Sequence, residues 1–255
     1  MEIARPGGHP VETVDTSTPQ PGLARREPAY AEALSLVPLF RDVSAADLAM
    51  LAGAVRSRRF RRGEVVFHQG DPGDALYVVV EGRVKITLPS DTGDEAILAT
   101  LRPGDFFGEL SLLDGAPRSA TAVALDPTET LVLGRDRVRD LIDRVPSFRD
   151  ALLTAITHEL RRITYHVEEL HFLDIAGRLA ARLARLARES GTPLEDGSIR
   201  LDGPLTQGNL AAMIGATRQS VNKLLGLFVG DGLVRLERDA VVVVDVDRLE
   251  QAARR

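Results

Sequence analysis

Residues 107–122 read FGELSLLDGAPRSATA, from Phe107 to Ala122. The stretch sets one carboxylate, Glu109, and an Arg118–Ser119 pair around a short apolar turn, Leu110-Ser-Leu-Leu113. Gly108 has no Cβ and lets a ligand touch the backbone. Glu109–Leu113 is long enough for one helical turn, with free N–H groups and a positive dipole end that suit an anion. Arg118 is a fork of donors for phosphate oxygens, and Ser119 adds a hydroxyl or an amide. Glu109 then accepts from hydroxyls rather than repelling the phosphate. Glu109 or Arg118 alone reads as an exposed charge beside a turn. The whole string, in this order, is a set of parts for an anion that also carries hydroxyls.

Both flanks of this stretch are β-rich. Short runs recur at Val65–Phe67, Leu76–Val80, Val84–Leu88, Ile97–Leu101, Thr121–Ala124 and Leu131–Leu133. Between them lie turn signals: Gly70-Asp-Pro-Gly73, Glu81-Gly82, Asp91-Thr-Gly-Asp94 and Arg102-Pro-Gly-Asp105. Many short strands at this spacing predict a barrel or sandwich. A cupin-type metal barrel needs clustered His ligands, and His68 stands alone. Ahead of the strands, Ser44 caps a predicted helix with Leu48, Leu51 and Val55 on one face. The run RSRRFRR, residues 56–62, is read as the solvated approach to a strand rather than a nucleic-acid patch, because Phe60 interrupts it. Residues 1–29 carry Pro, Gly, Thr and single charges without apolar periodicity and are expected to form a disordered tail.

After Pro146 the period becomes helical. Leu153, Ile156, Leu160, Ile163, Val167 and Leu170 are spaced 3, 4, 3, 4, 3, an unbroken heptad series. With Arg161, Arg162, Glu168 and Glu169 on its flanks, this narrow stripe predicts a seam with a second copy of the helix. Packing on its own barrel is the alternative. His166 and His171 are five residues apart, so they do not share a helix face and make no zinc box. Phe172-Leu-Asp174 ends the helix, and Asp174 caps the next, Ile175–Arg188. A strand is expected at Ser198–Leu201.

Thr206 and Thr217 then cap two helices separated by a turn at Gly215, a helix-turn-helix pattern. Leu233–Leu236 and Val241–Val244 predict a hairpin wing. In the second helix Val221, Leu224, Leu225 and Phe228 face inward. Arg218, Gln219, Asn222 and Lys223 are left on the outside, where a recognition helix reads base edges. Residues 179–255 carry 11 Arg/Lys against 10 Asp/Glu, so DNA affinity has to come from a local patch.

Composition bounds the alternatives. The 255 residues carry a net charge of −5, with 44% hydrophobic residues and no cysteine. The lack of cysteine excludes disulfides, cysteine zinc sites and cysteine-held iron–sulfur clusters. No apolar run approaches the roughly 20 residues of a membrane span. The first residues have no apolar signal core, so a cytoplasmic protein with no membrane partner is expected. No nucleophile–base pair or nucleotide-hydrolysis motif supports an enzyme. A metal-binding barrel enzyme is the remote alternative from another class.

With FGELSLLDGAPRSATA, FLDIAGRLA and LTQGNLAAMIGATRQSVNKLL in hand, the chain resembles the cyclic AMP receptor protein and fumarate–nitrate regulator (Crp/Fnr) superfamily, from about Leu36 to Arg248. The resemblance implies an α+β protein in four parts. These are the tail (1–29), a β-barrel (jelly-roll) cyclic-nucleotide-binding domain (30–145), a dimerisation helix (146–173) and a C-terminal winged helix-turn-helix (174–255). It implies cyclic AMP as allosteric ligand, cyclic GMP as its alternative, and no metal. Gly108 and Glu109 would meet the ribose, Leu110 would lie beside them, and Arg118 and Ser119 would meet the cyclic phosphate. The base would lie against Ile163 and Thr164, of which only Thr164 has a polar side chain. The expected DNA-binding residues are Thr206, Thr217, Arg218, Gln219, Ser220, Asn222 and Lys223. Where the family's recognition helix begins Arg-Glu, this one has Arg218-Gln219. The implied partners are a two-fold symmetric duplex operator, a second copy of the chain and RNA polymerase. A regulator that acts without nucleotide, or on another effector, is the alternative within the family. Arg118→Ala is expected to weaken ligand binding and leave fold stability little changed.

Overall fold

A computed structural model describes residues 27–90, 95–202, 205–238 and 240–253. The expected tail falls largely outside them, as does the turn expected at 91–94, but residues 27–29 already belong to the first helix, α1 (Glu27–Ser35). A 3₁₀ turn at Pro38–Phe40 and α2 (Ala45–Ala52) follow. The Ser44 side chain accepts from the Asp47 N–H, as its position ahead of the apolar run predicts.

The Arg-rich run is itself a strand, β1 (Arg56–Phe60). Then come β2 (Val65–Phe67), β3 (Ala75–Glu81), β4 (Val84–Pro89), β5 (Glu95–Leu101) and the short β6 (Phe106–Phe107). The cassette helix α3 (Leu110–Asp114) precedes β7 (Thr121–Ala124) and β8 (Thr128–Gly134). Two antiparallel sheets face each other, ordered β1-β8-β3-β6 and β2-β7-β4-β5. β3 shows why this chain needs helices on its barrel. Its Tyr77 and Val79 fill the barrel interior with Phe60, Val84, Phe107 and Ala122. Its Leu76 and Val78 point the other way, into a second core with Leu34, Phe40, Leu51, Phe148 and Leu152. A strand buried on both faces cannot be left bare, because each buried Val or Leu contributes roughly 1.5–3 kcal/mol.

The helix α4 (Arg135–Arg144) leads into the 27-residue α5 (Pro146–Phe172). α5 begins inside its own chain. Phe148 and Leu152 are buried, Ile156 packs against the same core, and Phe148 stacks on Phe40 at 5.4 Å. Beyond that, Leu153, Leu160, Ile163, Val167 and Leu170 stay exposed, Leu160 to 63%. The heptad stripe is thus divided: one of its six residues, Ile156, faces the barrel side, and five lie open.

Asp174 accepts from the Gly177 N–H at 2.7 Å and caps α6 (Ile175–Ser190). β9 (Thr192–Pro193) and β10 (Ile199–Asp202) precede α7 (Gln207–Ile214) and α8 (Arg218–Gly230). The wing is β11 (Val234–Leu236) with β12 (Ala240–Val243), in a sheet ordered β11-β12-β10-β9. A final helix, α9 (Val246–Ala253), packs on α6 so closely that a Cβ on Gly177 would stand 2.8 Å from the Ala253 carbonyl oxygen. The helix-turn-helix core of Leu179, Leu183, Leu210, Ile214, Val221, Leu225 and Leu249 admits one barrel residue, Ile97 of β5, which is 3% exposed. Arg162 of α5 also reaches β5, donating to the Leu98 carbonyl oxygen at 2.5 Å. Among the described residues no helix is long and apolar enough to cross a membrane.

Candidate functional site: the cassette and the recognition helix

β6 pairs with β3 through Tyr77 and Phe107, and the chain then turns at Gly108. Gly108 has φ +85°, a left-handed value that favours glycine. A Cβ there would lie 2.6 Å from Arg118 Nη1 and 3.0 Å from the Ala75 carbonyl oxygen. The one-turn helix α3 starts at Leu110, one residue later than the sequence predicts, and ends at Gly115 with φ +76°. Its neighbour across the site is the turn between β2 and β3, held by Arg118 N donating to Asp71 O and Gly70 N donating to Arg118 O.

Arg118 is 4% exposed. Its Nη1 donates to Gly108 O at 2.7 Å and its Nη2 to Ala75 O at 2.9 Å. The guanidinium lies over the Phe67 ring at 4.3 Å, within an aromatic cluster of Phe67, Tyr77 and Phe107. Its Nε is buried and meets no acceptor among the described residues. Burial lowers the Arg118 pKa, against the opposing pull of Tyr77, Asp74, Glu109 and Asp71. Burial likewise raises the pKa of Glu109; its own N–H lowers it, the Glu159 carboxylate on α5 adds to the rise, and Arg118 opposes it. Leu110 and Ser119 are exposed. The structure therefore brings Gly108, Glu109 and Arg118 into one cluster.

Thr164 sits on the exposed length of α5, where its hydroxyl donates to the Leu160 carbonyl oxygen at 3.0 Å. Ile163 beside it is half exposed.

Sequence reasoning misses two contributors. Gly73 reads only as a turn residue, yet a Cβ there would lie 2.7 Å from Ser111 Oγ and 3.0 Å from Arg118 Nε. Arg135 donates to the carbonyl oxygens of Gly73, Ser111 and Leu112. Its partners are backbone atoms, which leave no mark in a sequence.

The second site is the exposed face of α8. Thr206 accepts from the Asn209 N–H at 3.0 Å and starts α7. α7 ends at Gly215 in the left-handed region, φ +63°. Thr217 accepts from the Ser220 N–H at 3.1 Å and shares a hydroxyl contact with Ser220 at 2.9 Å. Val221, Leu225 and Phe228 are buried, and Leu224 is partly so. Arg218, Gln219, Asn222 and Lys223 are exposed together on the opposite side. The Asn222 side-chain oxygen accepts from Gln207 at 2.9 Å. The side chains of Arg218, Gln219 and Lys223 have no hydrogen bond or ion pair among the described residues. In the wing, Arg235 bonds Asp196 at 3.0 Å and Arg200 pairs with Glu237 at 3.1 Å, so both help hold the sheet. Arg238, at the wing's turn, is exposed, and no pattern in the sequence singles it out.

Comparison with known proteins matches both halves of the chain to known domain families. Residues 57–145 match the cyclic nucleotide-binding domain family, and residues 177–252 match the Crp-like helix-turn-helix domain family. A CRP-like cAMP-activated global transcriptional regulator of Mycobacterium tuberculosis is 36% identical over 223 residues, covering 88% of this chain and 99% of that protein. The cyclic AMP receptor protein of Thermus thermophilus is 34% identical over 216 residues, 85% of this chain and 96% of its own length. Among solved structures, a CRP/FNR-family transcriptional regulator from the same organism aligns with a TM-score of 0.64 at 27% identity, covering 78% of this chain and 98% of its own. The global regulator CLP of Xanthomonas campestris shares the fold, with a TM-score of 0.70 at 24% identity over 79% of this chain and 100% of its own. This chain belongs to the Crp/Fnr superfamily of transcription regulators.

Proposed function

We propose that this protein is a homodimeric, non-enzymatic DNA-binding regulator controlled by a 3′,5′-cyclic nucleotide, cyclic AMP in first place, bound at the cassette. The observation that carries the reading is the pairing of a buried arginine with a partly buried carboxylate, both incompletely matched. Arg118 has a buried Nε with no acceptor among the described residues, and Glu109 is a carboxylate whose pKa burial raises. A ligand that complements both brings an anionic group for the arginine and hydroxyl donors for the carboxylate. A ribose with a cyclic phosphate has both. Thr164 favours adenine. Its proton goes to Leu160, so its oxygen is left to accept from an exocyclic amino group rather than to donate to a carbonyl. The same ligand is supported by the 36% and 34% identical relatives, a cAMP-activated regulator and a cyclic AMP receptor protein.

The exposed stripe on α5 is the seam for a second copy, which places two recognition helices on a two-fold symmetric operator. The ligand acts through its differential affinity for the DNA-competent state. The protein works in the cytoplasm, with RNA polymerase as a further partner. Calorimetric titration with cyclic AMP and cyclic GMP tests the ligand, and saturable heat with the first at micromolar concentration is expected.

One observation favours a second reading. Both terminal nitrogens of Arg118 already bond main-chain carbonyls, so the barrel satisfies most of its own arginine. A regulator that acts without nucleotide would look the same. The absence of heat with either nucleotide at millimolar concentration, together with DNA binding by the untreated protein, would establish that reading instead.

A further inference from the structure

Arg135 opens α4, outside the cassette string, and its side chain turns back toward the site. Nη1 donates to Leu112 O at 3.4 Å, and Nη2 donates to Ser111 O at 3.0 Å and to Gly73 O. Its backbone N–H donates to Asp74 O at 2.8 Å. Ser111 and Leu112 belong to α3, whose C-terminal carbonyls have few partners within five residues. Gly73 and Asp74 belong to the β2–β3 turn. Arg135 therefore fastens together the two segments that enclose Arg118.

The spacing between those segments is already tight, since Gly73 has no room for a Cβ between Ser111 and Arg118. A planar guanidinium with several fixed donors suits convergent carbonyls from two segments, where an ammonium offers one point charge. The same residue starts the helix that packs on α5, so the fastening joins the cassette to the base of the exposed stripe.

We propose that Arg135 is a positioning residue for the ligand. By clamping the β2–β3 turn to α3 it fixes where Arg118 and Glu109 stand, and it ties that geometry to α4 and α5. The proposal rests on the cyclic-nucleotide reading above.

The test compares full-length wild type with Arg135→Ala and Arg135→Lys. Calorimetric titration with cyclic AMP reads affinity and stoichiometry separately, and hydrogen exchange without nucleotide reads the clamp directly. Arg135→Ala is expected to weaken binding about ten- to a hundredfold at unchanged stoichiometry. Exchange should speed up at residues 71–75 and 110–115. Arg135→Lys, which keeps the charge and three donors, is expected to fall between. A merely structural role would lower the stoichiometry as protein is lost to misfolding and leave the remaining molecules at wild-type affinity; that result overturns the proposal. If wild type itself gives no heat, the ligand reading fails on its own, and exchange decides the clamp. Faster exchange confined to the two segments upholds it, and exchange equal to wild type in Arg135→Ala sinks it.

Discussion

Arg118 donates to the carbonyl oxygen of Gly108 at 2.7 Å, and the missing Cβ of Gly108 is what lets it arrive. The residue read as a phosphate clamp is thus also a brace between β6 and β3, and it is almost wholly buried. This changes what its removal does.

Arg118→Ala strips two charge-assisted hydrogen bonds from the Gly108 and Ala75 carbonyls and the stacking on Phe67. The expected cost in fold stability is about 2–4 kcal/mol, on top of about 2–5 kcal/mol in ligand affinity. Urea unfolding and calorimetry measure the two separately. The structure revises the expectation drawn from sequence that stability would hardly change.

Glu109 has its pKa raised by burial first and by Glu159 second. A carboxyl whose folded pKa lies above its unfolded value favours folding when protonated. Its ionised form costs stability, and that cost is complete above the folded pKa. Glu109→Gln removes the cost, so thermal unfolding at neutral pH should shift upward. The gain should shrink as pH falls through the folded pKa and vanish below the unfolded one, near pH ~4. A stability difference that stays flat from neutral pH down to that region would show that Glu109 is not ionised against its burial. The same variant should bind cyclic AMP more weakly, because a neutral amide accepts less strongly from ribose hydroxyls.

Leu160 and Val167 are 63% and 48% exposed in the single chain. An Asp at either position meets water in a monomer but is buried at an apolar seam in a dimer. Leu160→Asp should therefore dissociate the dimer without lowering the stability of the monomer fold. Sedimentation velocity reads the first effect and circular dichroism the second. A full dimer in Leu160→Asp would move the interface elsewhere.

Gln219 stands exposed beside Arg218 near the start of α8. Arg218 suits guanine O6 and N7, whereas a Gln offers both a donor and an acceptor and suits adenine N6 and N7. Selection from a randomised DNA pool at one salt concentration should recover a two-fold site with the guanine contact kept. At the pair facing Gln219 the preference should move toward A·T. Gln219→Glu should shift that pair toward C·G, by about 1–3 kcal/mol of discrimination. Identical half-sites from both proteins would remove residue 219 from base reading.

What the sequence made legible is what side-chain pattern encodes. The short β-rich runs of β3 to β5 between turn signals, the caps at Ser44, Asp174, Thr206 and Thr217, and the buried face of α8 all follow from residue types at fixed spacing. Among the elements that did not declare themselves, three show why. β1 carries Arg on most of its positions because it is an edge strand with one deeply buried residue, Phe60. α4 buries only Val138 and Leu141 across ten residues, and α9 only Leu249 and Ala253 across eight. Stripes that narrow are lost among charges. In the site, the residue chemistry of Glu109 and Arg118 was readable, but the aim of Arg118 was not. Its direction is set by gaps at Gly73 and Gly108 and by the Ala75 carbonyl oxygen, which belong to two segments far apart in the chain.

Ile97 closes the helix-turn-helix core from the barrel side. Cutting the polypeptide at the boundary between the two halves of this regulator would therefore open that core on the side that Ile97 covers. A fragment begun at Asp174 would leave Leu201, Leu205 and Met213 facing solvent where β5 lies in the intact chain. Such a fragment should be sticky and should melt below the full-length protein, whose barrel and reading head should unfold in a single transition.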